Sequence, residues 1–255
     1  ILHGLTRCRV TEASRWSEMR SLQTRGPVFA VNFMKRKNTM TIDAFIPTPD
    51  RASGNAGSAK AKRCLDIFVA LSALVAVSPL LVAAALAVKL SSPGPIIFVQ
   101  RRVGKAGCRF DMFKFRTMYL DADKRRNEVA AQSDRSGICL KLKRDPRITP
   151  LGRILRRWSI DELPQLLNVL AGDMSIVGPR PALEEEVAAY PKYAHRRHSV
   201  LPGITGLWQV SGRADIGFEK MIELDLEYVH RSSLLFDAQI LLRTVGVVLT
   251  GRGAY

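Results

Sequence analysis

The sequence predicts an α+β fold, mostly helical with short strands, attached to one long apolar helix that enters a membrane and returns to the same face. Three observations carry this. Residues 65–88 form an apolar run whose only acidic residue is Asp66, and about 20 such residues cross a bilayer as a helix. Basic residues flank the run on both sides, Lys60, Lys62 and Arg63 before it and Lys89, Arg101, Arg102 and Lys105 after it. A spanning helix usually carries its Lys/Arg excess on the cytoplasmic side only. Beyond the run, short extended segments alternate with segments of helical spacing, and there is no internal repeat.

Bulk composition narrows the class of function. With 255 residues, 47% of them hydrophobic, the chain can bury one substantial core. A formal net charge of +16 calls for anionic partners: nucleic acid, lipid headgroups or phosphorylated substrates. Nucleic acid leaves the apolar run unexplained, and the basic residues lack the aromatic interleaving of such a surface. The cysteines, Cys8, Cys64, Cys108 and Cys139, form no C-x-x-C pair, so neither a zinc site nor a disulfide framework is indicated and a reduced, cytosol-facing protein fits. The first residues are polar and basic rather than a secretory signal.

Residues 1–60 are rich in Arg, Lys, Ser, Thr, Gly and Pro and read as a disordered basic extension. Within them Met34-Lys35-Arg36-Lys37 resembles a bacterial start. Residues 61–92 make the membrane helix. Pro79 removes one helical hydrogen bond and bends the axis, Ser78 can satisfy a freed carbonyl, and the helix is expected to break at Ser78-Pro79; a kinked span is the alternative. Ser91-Ser92-Pro93-Gly94-Pro95 ends it. Residues 96–99 read as a strand, 103–107 as a turn and 109–118 as extended. There Phe113-Lys114-Phe115-Arg116 alternates so that Lys114 and Arg116 share a cationic face, turned to phosphate or to solvent. Residues 119–132 read as a surface helix.

Leu151, Ile154, Leu155 and Trp158 recur at helical spacing among Arg153, Arg156 and Arg157, an amphipathic helix suited to a lipid interface or to core packing. Pro164 is tolerated only in a first turn, so a new helix should start at about Asp161. A carboxylate there stays ionised, and unpaired N–H groups also attract phosphate. The local alternatives are that Asp161 is an N-cap, or that Ser159 and Glu162 form a capping box. Arg180 lies between Pro179 and Pro181, which fix the backbone from which its guanidinium reaches an oxyanion. Residues 183–198 read as helical with a turn at Tyr190-Pro191, 202–213 as a glycine-punctuated loop with a short strand, and residues from Phe218 as helical. The apolar helix 234–249 is too polar to span.

For a phosphate site, Asp161 would supply a carboxylate able to attack phosphorus and Glu162 a ligand for Mg²⁺, which binds through one or two carboxylates plus substrate phosphates. Arg156, Arg180, Lys114 and Arg116 would neutralise the phosphates.

The motifs carry a further reading. Lys62-Arg63 with Asp66, Ser78-Pro79, Gln100-Arg101-Arg102-Val103-Gly104, Lys114-Phe115-Arg116-Thr117-Met118, Asp161-Glu162-Leu163-Pro164-Gln165, Gly178-Pro179-Arg180-Pro181, and Pro202-Gly203-Ile204-Thr205-Gly206 through Gln209-Val210-Ser211-Gly212-Arg213 follow in order. From about Lys62 onward the chain thus resembles the bacterial sugar transferase family, monotopic polyprenyl-phosphate hexose-1-phosphate transferases of the type that initiates exopolysaccharide synthesis. The resemblance implies Asp161 as nucleophile, Glu162 as Mg²⁺ ligand, Arg156 and Arg180 as further site residues, and both ends of the apolar helix in the cytosol. Gln209 and Arg213 become candidate substrate-binding residues. The implied reaction moves hexose-1-phosphate from a UDP-hexose (glucose or galactose) to undecaprenyl phosphate and releases UMP. Residues 93–255 would then be a cytosolic catalytic domain with interfacial helices, on the bacterial inner membrane, and compatible with a homo-oligomer. The alternative is a non-catalytic, membrane-anchored scaffold or regulator of polysaccharide assembly.

Overall fold

The structure, a computed structural model, describes residues 56–122, 124–125, 145–212 and 216–250. Helix α1 runs through Ala56–Ser91, and its 36 residues measure about 54 Å at 1.5 Å per residue. Its segment Gly57–Ser91 is long and apolar enough to cross a membrane. One stripe of the helix is packed: Asp66, Ala70, Ala84 and Val88 are buried, with Val69, Ala73, Leu74, Leu81 and Ala85 against neighbouring core residues. The opposite stripe, Phe68, Leu71, Val75, Val82 and Leu86, is exposed. Apolar exposure on this scale marks a surface made for lipid or a partner.

Both ends of α1 are tied to the same folded unit, Ser53–Tyr255. At the start, Arg63 donates to the carbonyls of Val169 (2.6 Å) and Leu170 (3.0 Å), and Lys62 pairs with Asp237. Asp66 Oδ1 accepts from Ser175 Oγ and from the Ile176 amide, both at 3.0 Å. At the far end Arg116 donates to the carbonyls of Val88 (3.3 Å) and Ser92 (2.6 Å). The helix does not break at Ser78-Pro79 as the sequence suggested. The carbonyl that Pro79 leaves without a donor belongs to Val75, and Ser78 Oγ donates to it at 2.8 Å, so the helix continues through the proline.

After α1 comes an antiparallel hairpin of β1 (Ile97–Val103) and β2 (Arg109–Phe115), paired from Ile97 with Phe115 to Val103 with Arg109. Its turn holds a short 3₁₀ segment, Lys105–Gly107. Helix α2 (Pro150–Arg157) is capped by Thr149, whose side chain accepts from the Gly152 amide. A 3₁₀ turn, Ile160–Glu162, leads to α3 (Gln165–Ala171). Asn168 on α3, fully buried, holds β2 by accepting from the Phe113 amide (3.0 Å) and donating to the Asp111 carbonyl (2.7 Å). Strands β3 (Ser175–Val177) and β4 (Gly203–Thr205) pair in parallel. A Cβ on Gly203 would collide with the Gly178 amide, so this crossing requires glycine. Between these strands lie α4 (Glu184–Ala188) and a 3₁₀ segment, Lys192–Ser199. Helices α5 (Leu207–Val210), α6 (Phe218–Arg231) and α7 (Leu234–Thr250) complete the described chain.

The main core gathers Met112, Leu166, Val169, Met174, Ile176, Ile222, Tyr228 and Ile240. The α+β class and the mostly helical content agree with the expectation. Besides the unbroken helix at Ser78-Pro79, two details differ: α1 begins at Ala56, inside the stretch read as a disordered extension, and the helix expected from Asp161 begins at Gln165. Ser159 adopts a left-handed conformation (φ 55°), which turns the chain and gives Asp161 and Glu162 a 3₁₀ turn of their own. The rest of the expected N-terminal extension, residues 1–55, and most of the expected surface helix at 119–132 lie outside the described residues.

Candidate active site

The site is assembled on the 3₁₀ turn between α2 and α3. Asp161 is buried at 7% exposure, and among the described residues no hydrogen bond or ion pair engages its carboxylate. Its neighbour is held firmly: Glu162 Oε1 accepts from Lys114 Nζ at 2.9 Å and from Arg180 Nη2 at 2.8 Å. Lys114 comes from β2 and Arg180 from the loop after β3, so two separate segments converge on one carboxylate oxygen of a third. The capping roles considered for this stretch are not formed: Ser159 makes no side-chain capping bond, and the N-cap position of α3 is Pro164 rather than Asp161.

The two carboxyl groups are driven in opposite directions. Burial, followed by the Glu162 charge beside it, raises the Asp161 pKa above the usual carboxylate range. Burial also pushes Glu162 upward, but Arg180 and Lys114 outweigh it and hold this carboxyl far below that range. Burial lowers Lys114 while Glu162 opposes the shift, and burial lowers Arg102 to about 10 with help from the Arg180 charge. Arg156 is likewise lowered by burial and supported by Asp161. Lys114, Arg102, Arg156 and Arg180 thus gather near the pair, a cationic setting suited to an anionic ligand.

Arg156 reaches the site because α2 packs closely on the chain after β2. A Cβ on Gly152 would collide with the Thr117 carbonyl, and Arg156 Nε donates to Thr117 Oγ1 at 2.9 Å. Thr117 belongs to one of the sequence motifs but drew no role there. Gln209 lines a groove of about 210 Å³ whose wall also includes Trp158, Glu162, Leu166, Val210 and Val247. Its Nε2 donates to the Ile204 carbonyl at 3.1 Å.

Arg116 is placed elsewhere. It lies just past the end of β2, buried, with its guanidinium on the last carbonyls of α1 rather than beside Lys114. Arg213 lies outside the described residues. Sequence reading also missed Arg102 and Arg197, which grip the loop that carries Arg180. Arg102 stood in the Gln100-Arg101-Arg102-Val103-Gly104 motif and Arg197 in the stretch 183–198, but neither was given a role in the site.

A Mg²⁺ ion fits this donor set in a limited way. Among the described residues no cluster of three or more His, Cys, Asp or Glu side chains could hold a metal alone. Mg²⁺ does not need one, since it keeps waters and takes one or two carboxylates together with substrate phosphates. Glu162, held ionised, offers a hard oxygen donor of that kind.

Comparison with known proteins completes this description. Residues 57–251 match the family model described as bacterial sugar transferase. The chain is 42% identical over 200 residues to the exopolysaccharide production protein ExoY of Sinorhizobium fredii, covering 76% of this chain and 88% of the relative. It is 44% identical over 205 residues to the UDP-glucose:undecaprenyl-phosphate glucose-1-phosphate transferase of Caulobacter vibrioides, covering 76% and 72%. With the undecaprenyl-phosphate galactose phosphotransferase of Salmonella typhimurium it shares 41% identity over 198 residues, 76% of this chain but 41% of that longer protein. A paired-carboxylate site among cations, on a chain matched from the start of its apolar helix to its last described helix, leads to one conclusion: the chain belongs to the bacterial sugar transferase family.

Proposed function

We propose that this enzyme, a phosphoglycosyl transferase, moves hexose-1-phosphate from a UDP-hexose, with glucose or galactose as the sugar, to undecaprenyl phosphate, as the first membrane step of an exopolysaccharide or related glycan. The observation that carries the proposal is the asymmetry of the pair: Asp161 is buried and, among the described residues, unengaged, while Glu162 is locked by Lys114 and Arg180. In the first step an Asp161 carboxylate oxygen attacks the sugar-bearing phosphorus, the bond to the bridging oxygen breaks, and UMP leaves with that electron pair. In the second, a phosphate oxygen of the lipid acceptor attacks the same phosphorus and frees the carboxylate. Splitting one transfer into two is the role of a covalent nucleophile. Arg180, Arg156 and Lys114 counter the negative charge spread over the transferred group, and stand preorganised to do so. Mg²⁺, held through Glu162 and the substrate diphosphate, would supply further charge neutralisation when bound.

The setting is the cytoplasmic face of the inner membrane, with the axis of α1 bending at Pro79 so that the helix enters and leaves by that face. Support comes from both ends of α1 being bound to one folded unit and from the exposed apolar stripe between them. A nucleotide-release assay over a panel of UDP-sugars, with undecaprenyl phosphate and Mg²⁺, tests the reaction. Asp161→Asn, checked by mass for deamidation, is expected to lose UMP release by at least about 10³-fold, and wild-type protein incubated without acceptor should carry a hexose-phosphate adduct on Asp161. Absence of UMP release from every UDP-sugar would favour the scaffold reading instead.

A further inference from the structure

Four consecutive carbonyls in the loop that carries Arg180 each accept a hydrogen bond. Pro179 O accepts from the Gly203 amide (2.9 Å), Arg180 O from Arg197 Nη2 (2.7 Å), Pro181 O from Arg102 Nη1 (3.0 Å) and Ala182 O from the Val103 amide (3.0 Å). Two of these donors are backbone amides from neighbouring strands. The other two are arginine side chains, and the one on Arg180 itself is unusual. Arg197 is 3% exposed, and its partner Asp225, on α6, is fully buried. They form an ion pair at 2.6 Å, and Arg197 Nη1 donates to Tyr190 Oη at 2.8 Å.

We infer that Arg197, oriented by Asp225 and Tyr190, is a positioning residue for the transfer reaction: it fixes the backbone of Arg180 so that its guanidinium meets Glu162 and the anionic substrate. Stability alone is a weak reason to bury such a pair, because desolvating two charges offsets much of their attraction. Here the buried cation instead has a specific task. A guanidinium presents its donors in a rigid planar fork, and this one donates to a phenol and to a main-chain carbonyl while its charge faces the Asp225 carboxylate. The carbonyl belongs to the residue whose side chain holds Glu162 at 2.8 Å. Proline on either side restricts that backbone. Arg197 then selects the orientation that remains, which links α6 to the site through Asp225, Arg197 and Arg180. An ammonium in place of the guanidinium keeps the charge against Asp225 but has no planar fork to serve both acceptors.

The inference rests on the transfer reaction proposed above for its kinetic arm only. In full-length protein in nanodiscs, Arg197→Lys is expected to lower kcat about 10- to 100-fold, the scale of a misplacement near 1 Å. Tyr190→Phe, which keeps both charges, should lower it less. In an Arg180→Ala background the added Arg197→Lys should cost less than about twofold, because its partner in function is already gone. A merely structural role would instead give the full loss in both backgrounds, and that result would overturn the inference. A second readout needs no turnover: the Arg180 Hε–Nε NMR signal, assigned by its disappearance in Arg180→Ala, should exchange faster with water in Arg197→Lys. An unchanged signal in folded Arg197→Lys would also overturn the inference. If wild-type protein releases no UMP, the transfer reading fails while this second readout still decides the positioning role.

Discussion

Asp161 and Glu162 are neighbours in sequence with opposite circumstances, and each environment suits one task. Glu162 is clamped by two cations, whereas Asp161 is buried and, among the described residues, makes no hydrogen bond or ion pair, the asymmetry on which the proposed nucleophile rests. The pair and Arg180 stood out in the sequence because each sits in a short motif with its own local constraint, a proline after the pair and two around Arg180, whereas Arg156 had only its place on a helix of periodic spacing. Arg116 was not legible in this way. Alternation along 113–116 implied a face shared with Lys114, but β2 ends at Phe115, and the Arg116 side chain instead meets the end of α1. Helix C-termini leave carbonyls without donors, and a basic side chain is a common answer. Arg116→Ala is therefore expected to destabilise the protein by about 1–3 kcal/mol, read as a lower thermal midpoint, with the KM for UDP-sugar unchanged. A raised KM at unchanged stability would return Arg116 to the phosphate site.

At the scale of elements, α1 shows what periodicity and composition can and cannot predict. The apolar run, its closing turn after Ser91 and the role of Ser78 were all readable, because each depends on residues close in sequence. Which stripe of the helix faces protein was not, because that depends on Asp66 meeting Ser175 and Ile176 more than 100 positions away. The parallel pairing of β3 with β4 was hidden for the same reason. The docking contacts give α1 a topological consequence. With native cysteines replaced, Lys60→Cys and Ser92→Cys should both react with an impermeant thiol reagent only from the cytoplasmic side of inverted membranes. Labelling from opposite sides would restore a span. Asp66→Ala, which strips Ser175 Oγ and the Ile176 amide of their shared acceptor, should loosen the start of α1 and cost about 1–3 kcal/mol.

Taken as a whole, the molecule is strongly cationic, and the charges that matter most for its stability are those removed from water. Two lie next to Arg197. Burial, helped by the charges of Arg197 and His195 and opposed by a hydrogen bond to the Gly104 backbone, lowers His198 to about 4. Burial raises Asp225 to about 6 in spite of Arg197. Their effects on folding have opposite signs. For His198 the unfolded chain binds the proton more tightly than the fold, so stability is fully present above about pH 6.5 and is lost as pH falls towards 4. For Asp225 the fold binds the proton more tightly, so stability declines as pH rises from about 4 to 6 and then levels. The two partly cancel in wild-type protein, so the histidine shows itself only as a difference. His198→Gln keeps a polar side chain but removes the titration. Its thermal midpoint should fall less than that of wild type between pH 6.5 and 4, with the gap closing above pH 6.5 and amounting to at most about 3 kcal/mol at the acid end. Parallel midpoint curves for the two proteins across that interval would show that His198 takes up its proton as readily in the fold as in the unfolded chain.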